Sequence, residues 1–193
     1  DDATSWVVGW QNETYPIWNV HTRGGPTLSI ANIDGDGGPE VVVGNVVLNG
    51  QTGALIWDGL EENAGTEVGI GNNAFLGPSS TVADVDLDGD LEVIAGNTLY
   101  DHNGNAVWIY NYSTNNSPCG GSLPCDGFNG VANFDADPFA EVVIVRLGQV
   151  FILEHTGDLL WQVDLPTLER DPCDENESGP PTIADFDGDG QPE

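Results

Sequence analysis

Lysine and methionine are absent from this 193-residue chain, and its cations are three arginines, Arg23, Arg146 and Arg170. Against them stand 32 acidic residues, for a formal net charge of −29. A phosphate backbone is bound by Lys and Arg that displace its counterions, so nucleic acid is excluded as a partner. An anionic membrane surface is excluded for the same reason. No apolar run approaches the roughly 18 residues of a membrane span, so no membrane insertion is expected. No secretory leader is visible, and a mature chain would have lost one.

Cysteine is scarce as well: Cys119, Cys125 and Cys173. Gly120, Gly121 and Pro124 lie within the first interval and let a short ring close, so a Cys119–Cys125 disulfide is expected. A zinc site there is the weaker reading, because the third cysteine is remote and no histidine is near. Cys173 is left unpaired or joined to something outside the chain.

What the chain does hold is a 39% hydrophobic fraction with six tryptophans, enough for a packed core despite the charge. Bound cations are the natural relief for the remaining repulsion. Sequons at Asn12, Asn111, Asn115 and Asn176 fall in expected loops and point to a secreted, glycosylated chain. The localisation expected is therefore extracellular, either secreted or at a cell surface.

Four segments superimpose: 28–40, 81–92, 130–141 and 182–193. Their first ligand-type residues, Asn32, Asp84, Asn133 and Asp185, are spaced by 52, 49 and 52. Each acidic loop leads into a β-branched run such as Glu40-Val-Val-Val, then into a hairpin ending in Trp57, Trp108 or Trp161. Asn-Gly and Thr-Gly pairs are expected to supply positive φ at those turns. Four short strands per period, named A to D, make an all-β chain. A period near 50 without helical pattern reads as a β-propeller-type array of about four four-stranded blades, with the acidic loops between strands A and B. The recurring tryptophans, Trp18 included, are read as filling the space between neighbouring blades.

One repeat domain over 1–193 is expected to divide into a C–D half-blade at 1–25, repeats at 26–78, 79–128 and 129–178, and an incomplete repeat at 179–193. The opening 6–18 aligns without gaps on 45–57, a C–D hairpin. Ends of this kind fit a closed small ring, a head-to-tail filament, or a segment of a longer protein.

Aligned, the loops read Asn/Asp-x-Asp-x-Asp-x-x-x-Glu. Positions 1, 3 and 5 of a tight loop converge, position 7 offers a carbonyl, and the Glu at position 9 closes the shell. The candidate ligand sets are Asn32, Asp34, Asp36, Gly38 and Glu40; Asp84, Asp86, Asp88, Asp90 and Glu92; Asn133, Asp135, Asp137, Phe139 and Glu141; and Asp185, Asp187, Asp189, Gln191 and Glu193. All are hard oxygen donors, the set calcium prefers, so up to four Ca2+ are expected. An EF-hand closes at position 12 and is flanked by helices, so it does not fit. In the third loop Pro138 stands where the others have Gly37, Gly89 and Gly190, and Asn133 removes a charge, so that site should be the weakest or differently shaped.

These loops with their flanking strands resemble the FG-GAP/VCBS repeats of integrin α-subunit-like propellers and large secreted bacterial proteins. The resemblance implies calcium in the A–B loops and a role in adhesion, assembly or scaffolding, with protein partners or head-to-tail self-association.

Catalytic constellations are not evident. His21, His102 and His155 read as connection and turn residues, and no nucleophile motif occurs. Fourteen of the 32 acids, Asp90 at a carbonyl position not counted, are already assigned to the loops through their side chains, which leaves little for a glycosidase pair. No enzyme is expected. The alternatives are a calcium-dependent carbohydrate-binding module, with glycans as partners, or a polysaccharide lyase-type propeller, which would need a cation at the sugar acid.

Overall fold

The computed structural model describes residues 26–35, 37–71, 77–112, 126–165 and 179–193. Short apolar runs punctuated by glycine and acidic turns give twelve strands, each three to six residues long. In order they are β1 (Ser29–Ala31), β2 (Glu40–Val43), β3 (Val46–Asn49) and β4 (Leu55–Asp58); β5 (Ser80–Ala83), β6 (Glu92–Ala95), β7 (Thr98–Tyr100) and β8 (Ala106–Ile109); β9 (Phe128–Ala132), β10 (Glu141–Arg146), β11 (Gln149–Leu153) and β12 (Leu159–Asp164). Each set of four is an antiparallel meander, because an eight-residue acidic loop, a two-residue turn and a five-residue turn return the chain beside itself.

The register repeats from sheet to sheet. The closing Glu of each loop begins the second strand and pairs with an alanine that ends the first: Ala31 with Glu40, Ala83 with Glu92, Ala132 with Glu141. In the last segment the Ala184 and Glu193 main chains exchange hydrogen bonds of 3.2 and 2.9 Å, the start of the same pairing. A one-residue register shift follows at Leu48, Tyr100 and Leu153, the same place in each third strand.

The sheets pack face to face. Between the first and second lie Ile33, Val42, Val47, Trp57, Val93 and Tyr100; between the second and third lie Val85, Ile94, Leu99, Val142, Ile144 and Phe151. Every residue of β6 is therefore buried, whereas every residue of β12 is exposed. Trp57 Nε1 donates to His102 O (3.1 Å) and Trp108 Nε1 to His155 O (2.8 Å), so each tryptophan docks on the last turn of the following sheet. Gly104 and Gly157 floor those sockets, where an added Cβ would lie 2.7 and 2.8 Å from the indole.

Two expectations are corrected. The four-blade propeller is not formed: the described strands make three separate four-stranded sheets, none closed or curled into a ring, layered like a β-sandwich. A period of 50 residues fixes the size of each sheet but not the angle between neighbours, so it cannot encode closure. The connection after β4 also contains a helical turn, α1 (Gly59–Glu62), whose first amides are served by Asp58 through a 2.9 Å bond from Leu60 N.

Positive φ is found at Gly53 (+70°) of the Thr-Gly pair but not at Gly50. Gly50 is instead required by close approach: its N–H donates to Pro39 O at 3.1 Å, and a Cβ would lie 2.2 Å from that oxygen. The expected hairpin at 6–18, the Cys119–Cys125 pair, Cys173, and Asn12, Asn115 and Asn176 lie outside the described residues; Asn111 is described and exposed. No helix among the described residues is long and apolar enough to cross a membrane.

Candidate metal centres

The first element of each site is a latch. The position-9 carboxylate accepts, through Oε2, the main-chain N–H of position 2: Ile33 to Glu40 (2.7 Å), Val85 to Glu92 (2.9 Å), Phe134 to Glu141, and Phe186 to Glu193 (2.7 Å). Position 2 is apolar and turned into the core in the first two loops, where Ile33 and Val85 are buried. One oxygen of each Glu is thereby tied to the main chain, within the fold for the buried Glu40, Glu92 and Glu141 and at the surface for the exposed Glu193.

Position 1 winds the loop around itself. Asp84 Oδ2 accepts from Gly89 N (3.2 Å) and Asp185 Oδ2 from Gly190 N (2.9 Å), the amides of position 6. Positions 3 and 5 each accept from the amide two residues on, as in Asp86 from Asp88 N (3.2 Å) and Asp189 from Gln191 N (2.8 Å). These turns satisfy one carboxylate oxygen locally and gather the others. At the fourth loop, ligand atoms of Asp185, Asp187, Asp189 and Glu193 all lie within 4.8 Å of one another. At the second, Asp84, Asp86 and Glu92 do so, without Asp88, and Asp84 Oδ1 is buried with no hydrogen-bond partner. Asp36 of the first loop lies outside the described residues, and no three-member group forms there among the described ones.

The third loop is built differently. Pro138 has no N–H to offer position 1, and neither Ala136 nor Pro138 takes the positive φ of Gly35 and Gly37 or of Gly188 and Gly190. Asn133 accordingly reverses role: its Nδ2 donates to Asp137 O (2.6 Å) and Phe139 O (2.9 Å), engaging the position-7 carbonyl. The carboxylates that do converge are Asp135 and Glu141 with Glu154, a residue the sequence did not single out. Glu154 also meets Asp137 and His155 within the same 4.8 Å limit.

Crowding of like charges in a partly dry setting shows in the protonation equilibria. Glu92 is pushed up to about 7, chiefly by burial and further by Asp86, Asp88 and Asp84. Glu141 and Glu154 are raised for the same reasons, with Asp135 and Asp137 as neighbours. Such groups give up their protons less readily than free carboxylates, so a bound cation would compete with those protons, and an oxygen-only donor set suits a hard divalent ion.

The expected histidine assignments divide. His102 Nδ1 faces Asp90 at 3.4 Å on an exposed turn. His155 stacks on Phe139 with ring centroids 4.2 Å apart. Arg146 is buried with its guanidinium 3.8 Å over the Tyr112 ring.

No protein-family profile matches the chain, and no curated protein matches it in sequence. The structure is similar to the crystal structure of Bap1, a biofilm matrix protein of V. cholerae, with a TM-score of 0.52 and 27% identity over 72% of this chain. That similarity takes in 20% of Bap1, so the chain spans about a fifth of that protein's length. The likeness is thus to part of a component of an extracellular matrix.

Proposed function

We propose that the chain is an extracellular, calcium-binding structural or adhesive repeat module, non-catalytic, working as part of a surface fibre or larger secreted assembly. The observation that carries the reading is the latch repeated in all four loops, which holds each closing Glu in place while the Asp residues of the second and fourth loops converge on it. Four latched loops in a chain of −29 charge make bound calcium the condition for close sheet packing. The loop motif resembles that of FG-GAP/VCBS repeats, and likeness to a matrix protein supports the extracellular setting. Partners engage the outer face of the last sheet, where Trp161 (47% exposed) and Val163 (47%) lack the cover that Trp57 has, and a further four-stranded repeat would supply the missing turn.

The test is self-association and surface adhesion of the full chain in calcium and in EDTA, read by light scattering and by retention on protein- or glycan-coated beads. Calcium-dependent association reversed by chelator is expected. A monomer that adheres to nothing in either condition would refute the role.

A further inference from the structure

Each β-hairpin turn touches the acidic loop of its own sheet, through Gly50 N to Pro39 O in the first and His102 to Asp90 in the second, but among the described residues the β11–β12 turn alone brings a carboxylate in among the loop carboxylates. Asn49, Asp101 and Glu154 occupy the same place, each accepting the turn-closing amide through its carbonyl: Gly53 N to Asn49 O, Gly104 N to Asp101 O, Gly157 N to Glu154 O, all 2.8–3.0 Å. Asn49 Oδ1 accepts from Gln51 N and Thr52 N, and Asp101 Oδ1 from Asn103 N and Asn105 N, so these short side chains serve their own turns. Glu154 is one methylene longer and stands among the ligand atoms of the loop instead.

Two groups share it, Asp135 with Glu141 and Glu154, and Asp137 with Glu154 and His155. An independent sign of a missing ligand accompanies them. Glu141 is 0% exposed, its Oε2 is held by Phe134 N, and its Oε1 has no hydrogen-bond partner. His155 Nδ1 is likewise buried without one. Unmet buried polar atoms of this kind are costly unless something fills the gap. His155 is also held in place beforehand, its ring stacked on Phe139 and its carbonyl accepting from Trp108 Nε1.

We propose that the third loop and the β11–β12 turn form a mixed carboxylate–imidazole site for a zinc-class divalent cation, with Glu154 and His155 supplied by the turn. An imidazole beside carboxylates favours zinc-class ions over calcium, which prefers six to eight oxygens. The Asn133 amide, which engages the position-7 carbonyl, disfavours calcium in the same place. This inference rests on the reading of the third loop as a cation site and departs from it in ligand set and ion.

The experiment titrates zinc into the full chain in excess calcium by calorimetry, with cobalt as a spectroscopic substitute and calcium counted on the same samples. One zinc equivalent and a visible cobalt band are expected, weakened at least about tenfold in Glu154→Gln and His155→Phe, as second-shell and ligand losses typically do. His155→Phe keeps an aromatic ring against Phe139, and a melting curve like the native one separates loss of zinc from unfolding, while His102→Ala should bind as the native chain does. No zinc uptake in excess calcium, or equal uptake by His155→Phe, overturns the site. Zinc bound by a chain that takes no calcium would uphold it while refuting the calcium reading of the other loops.

Discussion

Replacing Trp57 by alanine tests how the sheets are held together. The indole is 3% exposed, its ring lies against Gly104 and 5.8 Å from the Tyr100 ring, and its N–H donates to His102 O. Truncating a buried Trp leaves a cavity and costs roughly 3–5 kcal/mol. Within that figure, the aromatic pair is worth about 0.5–1.5 kcal/mol and the hydrogen bond about 1 kcal/mol. Against a typical domain stability of about 5–15 kcal/mol, such a loss removes a large share. Trp161, with the same place in its strand but 47% exposed, is the internal control, and its alanine variant should lose less than about 1 kcal/mol. Urea unfolding in calcium, followed by circular dichroism, gives both values. If Trp57→Ala loses no more than Trp161→Ala, the tryptophan–turn docking is not what binds one sheet to the next.

Gly104→Ala should destabilise by about 1–3 kcal/mol, because the residue holds φ at +86° and its Cβ would meet the Trp57 ring at 2.7 Å; a neutral urea midpoint would contradict the socket. Asp86→Ala should lower calcium uptake more than Asp135→Ala, since the second loop keeps its Asp84 carboxylate whereas the third has Asn133 turned to its own carbonyls; equal losses in equilibrium dialysis would refute that ordering. In EDTA, stability should fall with rising pH. Glu92 is raised from 4.5 to about 7, so its contribution is fully present below about 4.5 and lost as pH rises through about 7. The full shift would be about 3 kcal/mol, screened here to the order of 1–2 kcal/mol; a midpoint that climbs over this range, or one unchanged in slope by Glu92→Gln, would contradict it.

Much of the sheet structure was legible because it is local. β-branched runs after the closing Glu, glycine at position 6 of three of the loops, and tryptophan recurring at the end of each hairpin each follow from main-chain geometry or from one packing contact. The relation between sheets was not legible, because it depends on how the Trp57 and Trp108 faces tilt against the next sheet, which no spacing records. The convergence of loop carboxylates was readable where the chain turns on its own side chains, as at Asp84 and Asp185. The third loop was read as altered from Pro138 and Asn133, yet the carboxylate that joins it, Glu154, was missed. Glu154 lies 13 residues beyond Glu141 on a different hairpin, and only the alignment of Asn49, Asp101 and Glu154, with the extra methylene of the last, carried a signal.

The central claim is that these loops hold calcium and that the fold depends on it. A calorimetric calcium titration of the chelator-stripped chain, with melting curves on the same material, measures both at once. At least two equivalents should bind, at the second and fourth loops, with proton release near neutral pH and a large rise in Tm. Absence of binding heat together with the same melting curve in calcium and in EDTA would contradict the account.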